Sequence, residues 1–138
     1  MLQTKKEIQQ WLIDMKINNY VIHDDLTVDV YDNINLIDKK LNKIPIKFGV
    51  INGYFNCSYN YLTSLENFPQ EINGGFIYDS NPLPEDLLNL LESIKINCII
   101  FSVIKGNDAI KIINSYYLKK ELNTQLNNNK IEKKLNKI

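Results

Sequence analysis

Residues 51–71 read INGYFNCSYNYLTSLENFPQE, and residues 72–90 read INGGFIYDSNPLPEDLLNL. Laid one under the other they align at a constant 21-residue offset. Ile51 falls on Ile72, Asn52 on Asn73, Gly53 on Gly74, Phe55 on Phe76, Asn60 on Asn81 and Leu62 on Leu83. A degraded copy precedes them, with Ile34, Leu36 and Leu41 standing one such offset before Phe55, Cys57 and Leu62. Self-similarity at a fixed period in this range predicts a stack of short supersecondary units, each of which buries its apolar face only against its neighbours.

The spacing within one unit sets its expected shape. Phe55 and Cys57, like Phe76 and Tyr78, alternate as one face of a short strand does. Asn60 and Asn81 follow three residues later, where the chain must turn. A side-chain amide there bonds the turn backbone, and stacked copies form a ladder. Leu62, Leu65 and Ile72 carry the apolar face around the back, and Pro69 sits in the return segment, where no ladder hydrogen bond is needed. Gly53 and Gly74 are read as the residues that permit a tight turn into the next strand.

The run LTVDVYDNINLIDKKLNKIPIKFGVINGYFNCSYNYLTSLENFPQEINGGF, residues 26–76, resembles the short leucine-rich-repeat-like proteins of tailed bacteriophages and prophages. The similarity extends over residues 10–90 and is most specific in FNCSYNYLTSLENFP. It implies an α+β fold: a small leucine-rich-repeat-like solenoid sheet of two to three coils with period 21. An N-terminal helix would cap it, and the C-terminal helices, read below from the residues themselves and outside the resemblance, would close the other end. It also implies a phage-encoded module that contacts a bacterial host protein, such as a defence or regulatory enzyme, and inhibits it. Two departures stand out. Lys39 occupies the position of the first ladder asparagine, and the third copy breaks off after Leu83 into Pro84, Glu85 and Asp86.

At 138 residues the chain predicts a single domain with a substantial core. The formal net charge is zero, and every one of the 16 basic residues is lysine. Without arginine forks, general nucleic-acid binding is disfavoured. The charge is unevenly spread. Residues 1–104 carry 8 Lys against 13 acids, and residues 105–138 carry 8 Lys against 3 acids. That split reads either as a solvated C-terminal helix or as a charged contact face. The opening MLQTKKEIQQ is polar and predicts no signal peptide. The longest apolar run, residues 98–104, is too short for a bilayer span, so a cytoplasmic protein is expected. Cys57 and Cys98 lack metal-ligand spacing and read as reduced, buried thiols.

Along the chain, residues 1–19 predict a capping helix. Thr4 and Glu7 form a capping box, and Ile8, Trp11, Leu12 and Met15 form the apolar stripe. Residues 20–84 hold strands and repeat coils. Residues 85–126 predict a helical cap with a helix over 85–94 and another from Asp108 to 126 on Ile110, Ile113, Tyr117 and Leu118. Between them, INCIIFSVI at 96–104 fits a buried strand or a buried helix. Residues 127–138 read as a polar tail, either frayed or loosely helical.

Chemistry-bearing motifs are few. His23 stands beside Asp24 and Asp25 with no nucleophile in its neighbourhood, and it reads as a polar loop residue. The sequence has no phosphate-cradling glycine loop, HExxH, nucleophile elbow or CxxC, so no enzyme, metal or cofactor is expected. Asp24, Asp25, Asp29, Asp32 and Asp38 occur without an intervening lysine but lack the offsets and glycine of a calcium loop. The expected contact surface is the strand face opposite the core. Asn35 and Ile37 come from the first copy, Tyr54, Asn56 and Ser58 from the second, and Ile77 and Asp79 from the third, with Tyr59 in the adjoining turn. Tyrosine supplies large contact area at low entropic cost. Two alternatives stay open: a structural or assembly protein acting through self-association or virion attachment, and an acidic mimic of nucleic acid.

Overall fold

The computed structural model describes residues 1–97 and 102–136. Among these residues the fold is mixed α+β, with three helices and two small open sheets. The chain opens with α1 (Lys5–Asp14). The Thr4 hydroxyl oxygen accepts the Glu7 N–H at 3.1 Å, and its O–H donates to the Glu7 carboxylate at 2.9 Å. The cap satisfies one of the N–H groups that a helix start leaves open. Ile8 and Leu12 are buried, and Trp11 and Met15 pack against the same core. Lys16 and Asn19, both in the left-handed region, turn the chain out of the helix.

The first sheet runs β1 (Tyr20–Ile22), β2 (Thr27–Val30), β4 (Lys47–Ile51) and β6 (Glu71–Ile72). The second runs β3 (Ile34–Asn35), β5 (Phe55–Asn56), β7 (Gly75–Ile77), β9 (Ser102–Lys105) and β8 (Ile96–Asn97). In the second sheet Ile34 pairs with Phe55 and Phe55 with Phe76, all parallel. In the first, Val30 pairs with Ile51 and Ile51 with Ile72, also parallel. The 21-residue offset is thus the strand register in both sheets. The pairs Thr27–Lys47 and Val28–Phe48 are one residue shorter, and a bulge between Val28 and Val30 absorbs the difference. Asp29 sits in that bulge, and its carboxylate accepts the Val50 N–H at 2.8 Å.

Gly53 and Gly74 stand at the corner between the sheets, but for a different reason than the sequence suggests. No glycine has positive φ. A Cβ on Gly74 would lie 2.5 Å from the carbonyl carbon of Gly53, and one on Gly53 would lie 2.7 Å from the Asn33 nitrogen. These glycines permit close stacking, not an unusual turn. The left-handed positions fall instead on Asp38, Tyr59 and Ser80, at φ 52°, 57° and 58°, again one repeat apart.

The core lies between the sheets. Phe68 meets Phe55 and Phe76 edge-on, with ring centroids 5.4 and 4.7 Å away, and Phe48 meets Phe55 at 5.7 Å. Such tilted pairs add to the area they bury. Cys57 is enclosed here, and burial pushes its thiol pKa up to about 12.

The C-terminal part departs from the sequence reading. Helix α2 (Glu85–Glu92) buries Leu87 and Leu91. Residues 96–97 and 102–105 are antiparallel strands; residues 98–101, Cys98 included, lie outside the described residues. Gly106 does not break the chain after them. Its N–H donates to the Gly74 carbonyl at 2.9 Å, and α3 (Gly106–Asn136) starts there. The helix runs on through residues 127–136, the helical one of the two states expected for the polar tail. Ala109, Ile110, Ile113 and Tyr116 bury its first half, whereas Leu118, placed on the sequence stripe, is exposed.

Candidate functional site

Two asparagines hold the turns that follow β5 and β7. Asn60 is buried, and its carbonyl oxygen accepts the N–H groups of Lys39 and Leu41, both at 3.0 Å. Its amide nitrogen donates to the carbonyls of Leu36 at 2.7 Å and Cys57 at 2.9 Å. Asn81 repeats the pattern one copy on, accepting from Leu62 and donating to Cys57 and Tyr78. Buried backbone groups in these turns are thereby paired, as they must be. A second, more exposed ladder links Asn52, Asn73 and Asn107. Asn73 donates to Asn52 at 2.6 Å and Asn107 donates to Asn73 at 3.1 Å. The sequence reading missed Asn107, although Gly106 and Asn107 repeat the order of Gly and Asn in reverse.

These ladders fix the strand face on which the sequence placed its contact residues. Asn35, Asn56 and Ile77 form one row, because Asn35 pairs with Asn56 and Asn56 with Ile77. Asn35 is exposed, while Asn56 and Ile77 are half-buried. Both amides are partly engaged, since Asn35 accepts the Ile37 N–H and Asn56 accepts the Ser58 N–H. In the next row Ile37 is exposed and Asp79 is half-buried. Ser58, between them, is only 4% exposed, and its hydroxyl has no hydrogen-bond partner among the described residues. Ser58, expected on the contact face, is thus covered in the free chain, unlike Asn35 and Ile37. Tyr54 is 38% exposed at the start of β5. Tyr59 and Tyr61 are 63% and 62% exposed in the turn after it.

Asp79 does not stand free. Lys95 approaches Asp79 at 3.3 Å and Glu92 at 2.7 Å, and its ammonium lies 5.1 Å from the centre of the Tyr78 ring. Tyr78 donates its hydroxyl proton to Glu92 at 2.9 Å. Burial, followed by the neighbouring Glu92 carboxylate, holds the Tyr78 phenol well above its ordinary pKa. The hydrogen bond from Lys95 draws Glu92 below the usual carboxylate range. Burial opposes the charge on Lys95, but its bonds to Glu92 and Asp79 outweigh this and raise its pKa. The cluster ties the end of α2 to the sheet face. No local sequence signal announces it, because Lys95 and Asp79 are far apart along the chain.

His23, read from sequence as an isolated loop residue, is joined to Asp29 at 2.8 Å. Asp29 in turn holds the Val50 N–H, so the pair clips the β1–β2 hairpin to β4. The Val50 N–H first, and then His23, hold the Asp29 carboxyl below its ordinary pKa, against the opposing effect of burial. No hydroxyl or thiol of a described residue hydrogen-bonds His23. Among the described residues, no group of three or more His, Cys, Asp or Glu side chains is placed to hold a metal ion. Among them, too, no helix is long and apolar enough to cross a membrane.

Comparison of the chain with protein-family models, curated proteins and solved structures finds no match.

Proposed function

We propose that this chain is a small leucine-rich-repeat-like solenoid that acts as a non-enzymatic protein-binding module. The 21-residue strand register in both sheets, with an asparagine rung in each of two successive turns, supports the solenoid reading. One observation carries the binding reading: Tyr54, Tyr59 and Tyr61 are exposed beside the row of Asn35, Asn56 and Ile77, on a backbone that the ladders hold rigid. Exposed tyrosines on a fixed scaffold supply contact area with little ordering cost. Ile37 and Asp79 complete the face. The phage-type resemblance supports a bacterial host protein as the partner, with inhibition by covering a site or holding one conformation.

The test is affinity capture from a bacterial lysate, followed by binding measurements with the purified partner. Wild type is compared with a Tyr54→Ala/Tyr59→Ala variant and with a Tyr61→Ala variant, each checked for native circular dichroism. Loss of one partner with either folded variant supports this face. Undiminished binding by both variants removes the function from it.

A further inference from the structure

The second half of α3 projects from the body. Every described side chain from Leu118 to Leu135 is exposed. Residues 119–136 include five asparagines, which are poor helix formers, and an unsupported helix of about 18 residues is marginal in water. Its charges are sorted. At about 100° per residue, Lys119, Lys130, Lys133 and Lys134 fall within an arc of roughly 100°, and Glu121 and Glu132 lie on the opposite side. None of these four lysines has an ion-pair partner among the described residues; Lys120 is drawn back to Asp86 at 3.8 Å. The exposed Leu118 and Leu122 border the lysine arc on one flank, Ile131 borders it on the other, and Leu126 lies within it.

The opposite end of the molecule carries the complementary pattern. There β1 and β3 are the terminal strands of the two sheets. Asp25, Asp32 and Asp38 are exposed and make no ion pair among the described residues. Val21, Tyr31 and Ile37 are exposed between them, with Lys39 and Lys40 at one margin. An end bearing carboxylates interspersed with apolar side chains matches a helix bearing lysines flanked by leucines. The charge division between residues 1–104 and 105–138 thus falls on two distinct elements, the helix that starts beside β6, β7 and β9 and the edge strands β1 and β3.

We propose that the distal half of α3 docks on the β1 and β3 end of a second copy of this chain, head to tail. Such a contact is heterologous, so it closes into a ring or grows into a chain, and each molecule uses two different surfaces. It depends on salt, because the paired groups are exposed. The contact shares Ile37 with the margin of the tyrosine-bearing face but does not depend on that face having a partner.

The test uses the full chain in sedimentation and light-scattering measurements. Self-association at low salt is expected to weaken about tenfold or more as ionic strength rises from about 0.05 to about 0.5 M. The variant Lys119→Glu/Lys130→Glu/Lys134→Glu loses the arm, and Asp25→Lys/Asp32→Lys/Asp38→Lys loses the acceptor. Each alone is expected to be monomeric, and an equimolar mixture of the two should form a 1:1 dimer and nothing larger. Because Asp25 and Asp32 also bond backbone N–H groups, Tyr31→Lys/Asp38→Lys serves as a second acceptor variant that keeps those bonds. A chain that stays monomeric throughout, or self-association unchanged by the arm variant, overturns the proposal. So does a mixture that forms no dimer. A monomer whose arm instead binds duplex DNA or anionic vesicles overturns it as well.

Discussion

Replacing Asn60 by alanine is the most direct trial of the ladder. The substitution removes a carbonyl that accepts from Lys39 and Leu41 and an amide that donates to Leu36 and Cys57. Lys39, Leu41 and Leu36 lose this side-chain partner at once, and the Cys57 carbonyl is left with Asn81 alone, in a turn where the asparagine itself is buried. At about 1 kcal/mol per net hydrogen bond, and with water reaching the exposed Lys39 side, the loss comes to about 3–4 kcal/mol. Against a total stability of about 5–15 kcal/mol that is a large fraction. Asn81→Ala removes the partner of the Tyr78 carbonyl and of the Leu62 N–H and leaves the Cys57 carbonyl with Asn60 alone, at a less buried rung, so about 2 kcal/mol is expected. Asn60→Asp puts an oxygen where carbonyl oxygens converge and is expected to cost at least as much as alanine. Urea denaturation followed by circular dichroism measures all three, with unchanged m-values as the check that the denatured state is the same. A loss below about 1 kcal/mol for Asn60→Ala would refute the reasoning, because the turn would then hold without its rung.

Further outcomes follow from other residues. Gly74→Ala places a methyl 2.5 Å from the Gly53 backbone, and a urea titration is expected to show a loss of about 3 kcal/mol or more, or no native baseline at all. The Cys57 thiol, with its pKa pushed up to about 12, should resist alkylation at pH 8 in the native protein and react once urea is added. Peptide mass mapping separates it from Cys98. Asp29 has a depressed carboxyl pKa, so the stability it contributes is fully present above its unfolded pKa and is lost as pH falls through its folded value. Stability measured downward from pH 6 should therefore fall more steeply below about pH 4 in wild type than in Asp29→Asn. Ending the chain after Leu126 removes no buried side chain among residues 127–135, and thermal stability should stay within about 0.5 kcal/mol of wild type.

The second sheet shows where sequence reading reaches its limit. The 21-residue register across Ile34, Phe55 and Phe76 is legible because alternation and the following asparagine mark each copy. The strand Lys47–Ile51 is not, since both Phe48 and Gly49 are buried: the extra residue it carries opposite Asp29 breaks its own alternation, while its partner Thr27–Val30 alternates. Glu71–Ile72 is too short to show any period. Beyond residue 126 the sequence leaves the end of α3 open between a frayed and a helical tail, because its asparagines argue against helix and no apolar stripe runs its whole length. Within the candidate face, the row of Asn35, Asn56 and Ile77 follows from register alone. The burial of Ser58 and the capture of Asp79 by Lys95 do not, because both depend on neighbours brought in by the fold rather than by spacing.

The shared register also constrains how such a chain can change length. Duplicating residues 51–71 would set a new Phe beside Phe55, a new Asn beside Asn60 and a new Gly behind Gly53, leaving every rung and corner with a partner on each side. An insertion one residue shorter or longer than that unit, in the same place, would turn core side chains toward water along every strand that follows. If the chain is the solenoid proposed above, its growth and loss come in whole copies, and the irregularity opposite Asp29 is the place where one extra residue is already absorbed.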